Sequence, residues 1–254
     1  ANMFWLIGQD DVENETDRVD VEIYRDNDPP TASLIAPDEF VNDATPVIQA
    51  RVEDEGVGID PDEGVVLALD GETVNPDDFE FDPEEGLVTY QVPDDLEDGP
   101  HLVSISAADL LGNATEEPVE LEFFVDTQTP IVVGIDGEPP HYLLDGDNHL
   151  IISNPTPRFT FPAFDADPSS GIDLETVVGR LNGEVIDLNL DEIDEFSYHV
   201  SDGELNEGEN SVSLEFDDRA GNHFEGSGGI DFDPDRLDED PPFFANLNPP
   251  DGGI

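Results

Sequence analysis

Leu96-Glu97-Asp98-Gly99-Pro100-His101-Leu102-Val103-Ser104-Ile105-Ser106-Ala107-Ala108-Asp109-Leu110-Leu111-Gly112-Asn113 is the stretch that decides the fold. Leu102, Val103, Ile105 and Ala107 interleave with Ser104 and Ser106. Alternation with one apolar face is the mark of a half-buried antiparallel strand. The run ends in Asp109-Leu110-Leu111-Gly112-Asn113, a cluster of turn-forming residues. The same turn occurs twice more, as Asp10-Asp11-Val12-Glu13-Asn14 and Asp218-Arg219-Ala220-Gly221-Asn222. Each copy follows a strand-like run (3–7, 101–108, 210–216) and precedes a second one (19–24, 119–125, 227–232). The first copy lacks the glycine.

Working outward, each second run leads into a linker: Asp26-Asn27-Asp28-Pro29-Pro30, Asp126-Thr127-Gln128-Thr129-Pro130 and Asp238-Glu239-Asp240-Pro241-Pro242. Three further landmarks recur in order. Thr45-Pro46, Gly58-Ile59-Asp60 and Leu69-Asp70-Gly71-Glu72 correspond to Thr156-Pro157, Gly171-Ile172-Asp173 and Leu181-Asn182-Gly183-Glu184. The repeating unit is therefore about 100 residues, the size of a seven-stranded sandwich. The first full copy predicts strands near 31–35, 46–53, 65–70, 79–81, 87–92, 101–108 and 118–125. The second predicts 131–135, 157–164, 175–181, 185–190, 196–200, 210–217 and 227–232. No window carries a helical stripe, and proline is too dense for long helices.

The expected class is all-β: tandem immunoglobulin-like β-sandwiches. Residues 1–28 read as the last two strands of one domain. Residues 29–126 and 127–237 read as complete domains, and 238–254 as the first strand of a following one. The second domain carries an insertion near 137–154, read as a surface loop, with a ligand-contact loop around His141, Tyr142 and His149 as the alternative. The incomplete ends fit an excerpt of a longer array, strand exchange between chains, or plain disorder. Incomplete sandwiches expose edges that invite pairing.

Sixty-five acidic residues face seven basic ones, all arginine, for a formal net charge of -58. A chain with no basic footprint does not bind nucleic acid by neutralising phosphates, and anionic membrane surfaces repel it. Self-repulsion on this scale opposes compaction, so it must be offset by high salt or by bound divalent cations; the two are compatible. There is no cysteine, hence no disulfide and no thiolate metal site. No apolar run is long enough for a membrane span. No cationic leader precedes residues 2–7; if the protein is secreted, its signal is expected to lie outside this segment or to have been removed.

The stretch 96–113, closing with Val125-Asp126-Thr127-Gln128-Thr129-Pro130, resembles the bacterial immunoglobulin-like repeats of giant adhesins. In them an Asp-x-x-Gly-Asn turn joins the last two strands, and a Val-Asp-Thr-x-x-Pro linker starts the next domain. The resemblance implies an extracellular, cell-surface setting, Ca2+ at domain junctions and a role as an adhesion stalk. Asp26-Asn27-Asp28-Pro29-Pro30 also resembles the calcium linkers of cadherins over its short length.

Sandwich topology says which acids can meet. The start of the first strand, the loop after the second and the loop before the last share one pole. In the first copy these carry Asp26 and Asp28, then Asp54 and Asp60, then Asp109. In the second they carry Asp126, then Asp165, Asp167 and Asp173, then Asp217 and Asp218. Calcium takes six to eight oxygen ligands, chiefly carboxylates and carbonyls, so these are the candidate ligands; the plain alternative is solvated loop acids.

Catalytic patterns are missing. The five histidines show no zinc spacing, and there is no nucleophile elbow, phosphate loop or dinucleotide glycine pattern. The expectation is a non-enzymatic structural repeat of a calcium-stiffened stalk or fibre, with neighbouring repeats or identical chains as partners, and with a cell-surface or polysaccharide ligand further out. The alternatives are a polymeric filament joined by strand exchange, an accessory polysaccharide-binding module of a secreted hydrolase, and the structural domain of an enzyme.

Overall fold

In a computed structural model, residues 2–23, 25–132, 136–138, 143–144, 150–192 and 195–235 are described. The chain divides into two units, Ala1–Thr127 and Gln128–Ile254. Among the described residues the regular structure is β-strand, apart from a single 3-10 turn at Pro76–Asp78. Among the described residues no helix is long and apolar enough to cross a membrane.

Unit 1 opens with an antiparallel hairpin of β1 (Asn2–Leu6) and β2 (Val19–Ile23). The sandwich follows: β3 (Thr31–Ala36), β4 (Phe40–Val41), β5 (Val47–Glu53), β6 (Val65–Leu69), β7 (Glu72–Thr73), β8 (Glu80–Asp82), β9 (Leu87–Gln91), β10 (Gly99–Ala107) and β11 (Val119–Val125). One sheet has the order β3-β5-β9-β8, the other β4-β11-β10-β6-β7. This is the two-sheet arrangement of an immunoglobulin-like sandwich, with the first strand split between the sheets. β3 pairs with β5, and the chain then crosses to lay β4 parallel to β11.

Alternation builds the core. Ile48, Ala50 and Val52 of β5 point inward against Val103, Ile105 and Ala107 of β10, with Leu67, Val88, Phe123 and Val125 completing it. Each of the valines, leucines, isoleucines and phenylalanines among them contributes roughly 1.5–3 kcal/mol on burial.

Unit 2 repeats the plan with β12 (Ile131–Val132), β13 (Asp136–Glu138), β14 (Leu143–Leu144), β15 (Leu150–Ile152), β16 (Arg158–Phe164), β17 (Val178–Leu181), β18 (Glu184–Ile186), β19 (Asn189–Glu192), β20 (Glu195–His199), β21 (Gly208–Asp217) and β22 (His223–Phe232). Its sheets run β12-β16-β20-β19, with β13 also on β16, and β14-β15-β22-β21-β17-β18. Here phenylalanine fills the core: Phe159, Phe161, Phe196 and Phe216 are buried, with Phe196 and Phe216 edge-on at 5.4 Å.

The expected loop at 137–154 is narrower than its sequence suggests. Asp136–Glu138 pairs with β16, and Leu150–Ile152 is a buried strand parallel to β22. It does in unit 2 what β4 does in unit 1. The polar insertion therefore sits between the two halves of a split first strand. His141, Tyr142, His149 and residues 238–254 lie outside the described residues. The expected strand over 185–190 is two short strands, β18 and β19, on different sheets.

Candidate metal centre at the domain entry

All three Asp-x-x-x-Asn turns are built alike. In each, the aspartate Oδ1 accepts the backbone N–H of the asparagine four residues on, and Oδ2 accepts its side-chain amide. The bonds are 2.8 and 2.8 Å from Asn14 to Asp10, 2.8 and 2.6 Å from Asn113 to Asp109, and 2.8 and 2.7 Å from Asn222 to Asp218. The residue before asparagine is left-handed, with φ 85° at Gly112 and 91° at Gly221. Glu13 adopts φ 66° in the same place, where glycine costs nothing.

The loop after β5 is strapped to this turn. Leu110 N–H donates to Gly58 O (3.0 Å), Asp60 N–H donates to Ala108 O (3.2 Å), and Ile59 bridges Asp109. Unit 2 has the same strap: Arg219 N–H to Gly171 O (2.9 Å), Asp173 N–H to Asp217 O (2.9 Å), and Ile172 bridging Asp218. The repeated Gly-Ile-Asp motif is thus a backbone fastening.

In unit 1 the strap brings Asp26, Asp54 and Asp109 together. One carboxylate oxygen from each lies within 4.8 Å of the others. Asp26 comes from the linker entering the sandwich, Asp54 from the loop after β5, and Asp109 from the turn before β11. Asp109 is buried and Asp26 and Asp54 are half-buried. Backbone amides fix each one: Asp26 Oδ2 accepts from Val57 (3.0 Å), and Asp54 Oδ2 from Gly56 (3.0 Å) and Gly58 (2.7 Å). Gly56 leaves the room that Asp26 occupies, since a Cβ there would fall 1.5 Å from Oδ2. Burial pushes the Asp109 carboxyl up, but hydrogen bonds from Asn113, Leu111 and Gly112 outweigh it and hold it below the ordinary carboxylate range.

In unit 2, Asp165 and Asp218 hold the places of Asp54 and Asp109, with carboxylate oxygens within 4.8 Å. Asp165 Oδ2 accepts from Gly171 N–H (3.0 Å), as Asp54 does from Gly58; Oδ1 is buried and accepts no hydrogen bond. Asp126, one residue before the end of unit 1, is buried and donates its N–H to Val41 O.

The other candidates are placed differently. Asp28 is exposed and donates its N–H to Asp26 Oδ1 (3.0 Å). Asp60 and Asp173 cap their own turns, accepting from Asp62 and Glu63, and from Glu175. Asp167 is exposed, and Asp217 pairs with His223. A hard, all-oxygen donor set with no sulfur or imidazole suits calcium rather than zinc.

Among solved structures the chain is similar to part of a 1.5-MDa bacterial ice-binding adhesin, at 20% identity over 82% of this chain and 67% of that one, TM-score 0.36. It is similar to murine CEACAM1b, at 10% over 80% and 100%, TM-score 0.41. It is also similar to Bacteroides ovatus SGBP-B of a mixed-linkage glucan utilization locus, at 16% and TM-score 0.29, covering 81% of this chain and 48% of that one. The chain spans only 21% of latent PorU from Porphyromonas gingivalis. No protein-family model matches the chain, and no curated protein matches its sequence. The structural neighbours are immunoglobulin-like and adhesin-type extracellular domains.

Proposed function

We propose that this chain is a non-enzymatic structural repeat region of an extracellular surface protein, fastened by Ca2+ where the chain enters each sandwich. The observation that carries the reading is the convergence of Asp26, Asp54 and Asp109, drawn from three distant parts of unit 1. Three carboxylates so close repel one another by about 1 kcal/mol per pair in bulk water and about 4 at an effective dielectric of 20. A divalent ion reverses that sign and ties the linker to two loops of the sandwich. Asp26, Asp54 and Asp109 supply carboxylate ligands; carbonyls and water complete the six to eight that calcium takes. Within unit 2, Asp165 and Asp218 offer the equivalent pair of carboxylates. Fixing the entry linker stiffens the chain where it enters the sandwich, which is what a stalk needs. Thermal unfolding with calcium and with chelator, at fixed ionic strength, tests this. A calcium-dependent rise is expected; an unchanged melting temperature leaves only salt adaptation.

One observation favours a filament as a second reading. The face of the β1–β2 hairpin bearing Phe4, Leu6, Val19 and Ile23 is apolar and exposed, at 53, 64, 57 and 49%. In β10 and β11 the equivalent face is core. Strands from a second copy would cover it, and regular filaments in electron micrographs would mark that outcome, against isolated rods for the stalk.

A further inference from the structure

Away from the acidic cluster, both units carry one fastening built from different side chains. In unit 1, Asp70 sits in the turn between β6 and β7. Its N–H donates to Leu102 O (2.8 Å) and its Oδ1 accepts the Leu102 N–H (2.9 Å). Its Oδ2 lies 2.8 Å from His101 Nδ1, while His101 Nε2 lies 2.8 Å from Glu97 O. In unit 2, Asn182 donates its N–H to Ser211 O (2.8 Å), and its Oδ1 accepts the Ser211 N–H (3.0 Å). Asn182 Nδ2 donates to Asn210 Oδ1 (2.8 Å), and Asn210 Nδ2 donates to Asn206 O (2.8 Å). Asp70, His101 and Glu97 thus map onto Asn182, Asn210 and Asn206 position for position, with the bond between the first two side chains donated from the opposite partner. Each fastening joins a hairpin turn, the start of the long central strand and the loop before it.

The two differ in what protons they need. A carbonyl oxygen and a carboxylate only accept. Both ring nitrogens of His101 face such acceptors, so both bonds exist together only when the ring is the doubly protonated imidazolium. Two asparagine amides meet the same demands without charge. From the β6–β7 turn the ring faces the Asp70 carboxylate, from the loop before β10 the Glu97 carbonyl, and from β11 the uncharged Phe123 ring at 5.5 Å. The His101 side chain is 12% exposed, so water replaces a lost bond poorly. Burial pushes the Asp70 carboxyl up, but Leu102 N–H and His101 outweigh that and leave it below the ordinary range, keeping it an acceptor.

We infer that the fastening of unit 1 is a pH-sensitive latch that loosens when His101 loses a proton, and that unit 2 carries the same latch in a pH-independent form. Loosening reaches the exit of unit 1. The loop that Glu97 O anchors also holds Asp98, whose Oδ1 accepts both the N–H and the hydroxyl of Thr127 at 2.9 Å. The direction follows from the two acceptors: both bonds need a proton on each ring nitrogen, so the latch is complete only in the imidazolium form.

Amide hydrogen exchange on the full chain, by NMR from about pH 5 to about pH 9 at fixed salt and calcium, tests this. After correction for base catalysis, protection of Leu102 and Thr127 is expected to fall by about tenfold or more between the acid and alkaline ends of that range, the scale of one bond to a charged group. Protection of Ser211 and Asn206 is expected to stay level. The double variant D70N/H101N, which installs the unit 2 pair, is expected to flatten the unit 1 profile. Level protection in unit 1, or an equal fall in both units, overturns the inference. If the variant does not fold, the unaltered chain still decides: loosening over a pH interval in which the His101 ring nitrogens do not change protonation also overturns it.

Discussion

Gly56→Ala adds one methyl group and no charge, and it strikes the acidic cluster directly. Its Cβ would fall 1.5 Å from Asp26 Oδ2 and 2.4 Å from Cγ. Gly56 is not among the left-handed residues, so alanine is tolerated by the backbone. The carboxylate is the end of a flexible side chain and is the group that gives way. Its displacement removes the bond from Val57 N–H, worth at most about 1.5–3 kcal/mol. It also relieves repulsion from Asp54 and Asp109, about 1–4 kcal/mol per pair. These oppose one another, so the calcium-free chain is expected to lose no more than about 1 kcal/mol of stability. With calcium the outcome differs, because the ion loses one of three carboxylates. At about 100 times Kd an intact site adds about 2.7 kcal/mol; a tenfold weaker one adds about 1.4 and a hundredfold weaker one about 0.4. For a domain of this size 1 kcal/mol moves the melting temperature by about 4–8 °C. The calcium-induced rise of unit 1 should therefore shrink by at least about 5 °C. Calorimetry of the full chain with calcium and with chelator measures it. Equal calcium-induced shifts in the parent and in G56A refute the reasoning.

Three other outcomes are expected. Glu13→Gly relieves a left-handed residue at φ 66° and should stabilise the β1–β2 hairpin by about 1 kcal/mol, read as slower amide exchange; no change would mean that Glu13 is unstrained. The Asp109 carboxyl is depressed in the folded chain, so its contribution is present above about pH 4, the unfolded value, and disappears as pH falls through the folded one. Urea titrations should show the gap between the parent and D109N closing with acid; a gap constant down to about pH 2 contradicts this. His223 is raised, first by its hydrogen bond to Asp217 and then by the charges of Asp217, Glu215 and Glu225, against a lowering by burial. Its contribution is full below about pH 6.5 and lost as pH rises through the raised value. D217N should move the NMR titration of His223 downward, and an unmoved midpoint contradicts the pairing.

The long strands were legible because each alternates over five or more residues with one apolar face, as in 47–53 and 101–107. β4 and β7 were not, because two residues carry no period. β15 hid for another reason: Leu150-Ile151-Ile152 is flanked by Gly-, Asp- and Pro-rich sequence that reads as loop. At the site, topology brings the linker, the loop after β5 and the turn before β11 to one pole, but it does not say which of their acids converge. Asp54 and Asp60 both follow β5, and both accept backbone amides two residues on. Only the strap through Ile59 decides that Asp54 turns toward Asp109 while Asp60 turns to its own loop. The same holds for Asp165 and Asp173. The latch was invisible because Asp70 and His101 lie 31 residues apart, and it is the equivalent asparagines that expose its purpose.

The claim that Asp26, Asp54 and Asp109 hold calcium is tested most directly by calorimetric titration of the chelator-treated chain. It should be run at about 1 M NaCl, where charges screen within roughly 3 Å and diffuse counterion binding is suppressed. Saturable binding with Kd of roughly 0.1–1 mM is expected, with the unit 1 component lost in D54N/D109N. Binding that vanishes in the salt, or that survives unchanged in the double variant, contradicts the account.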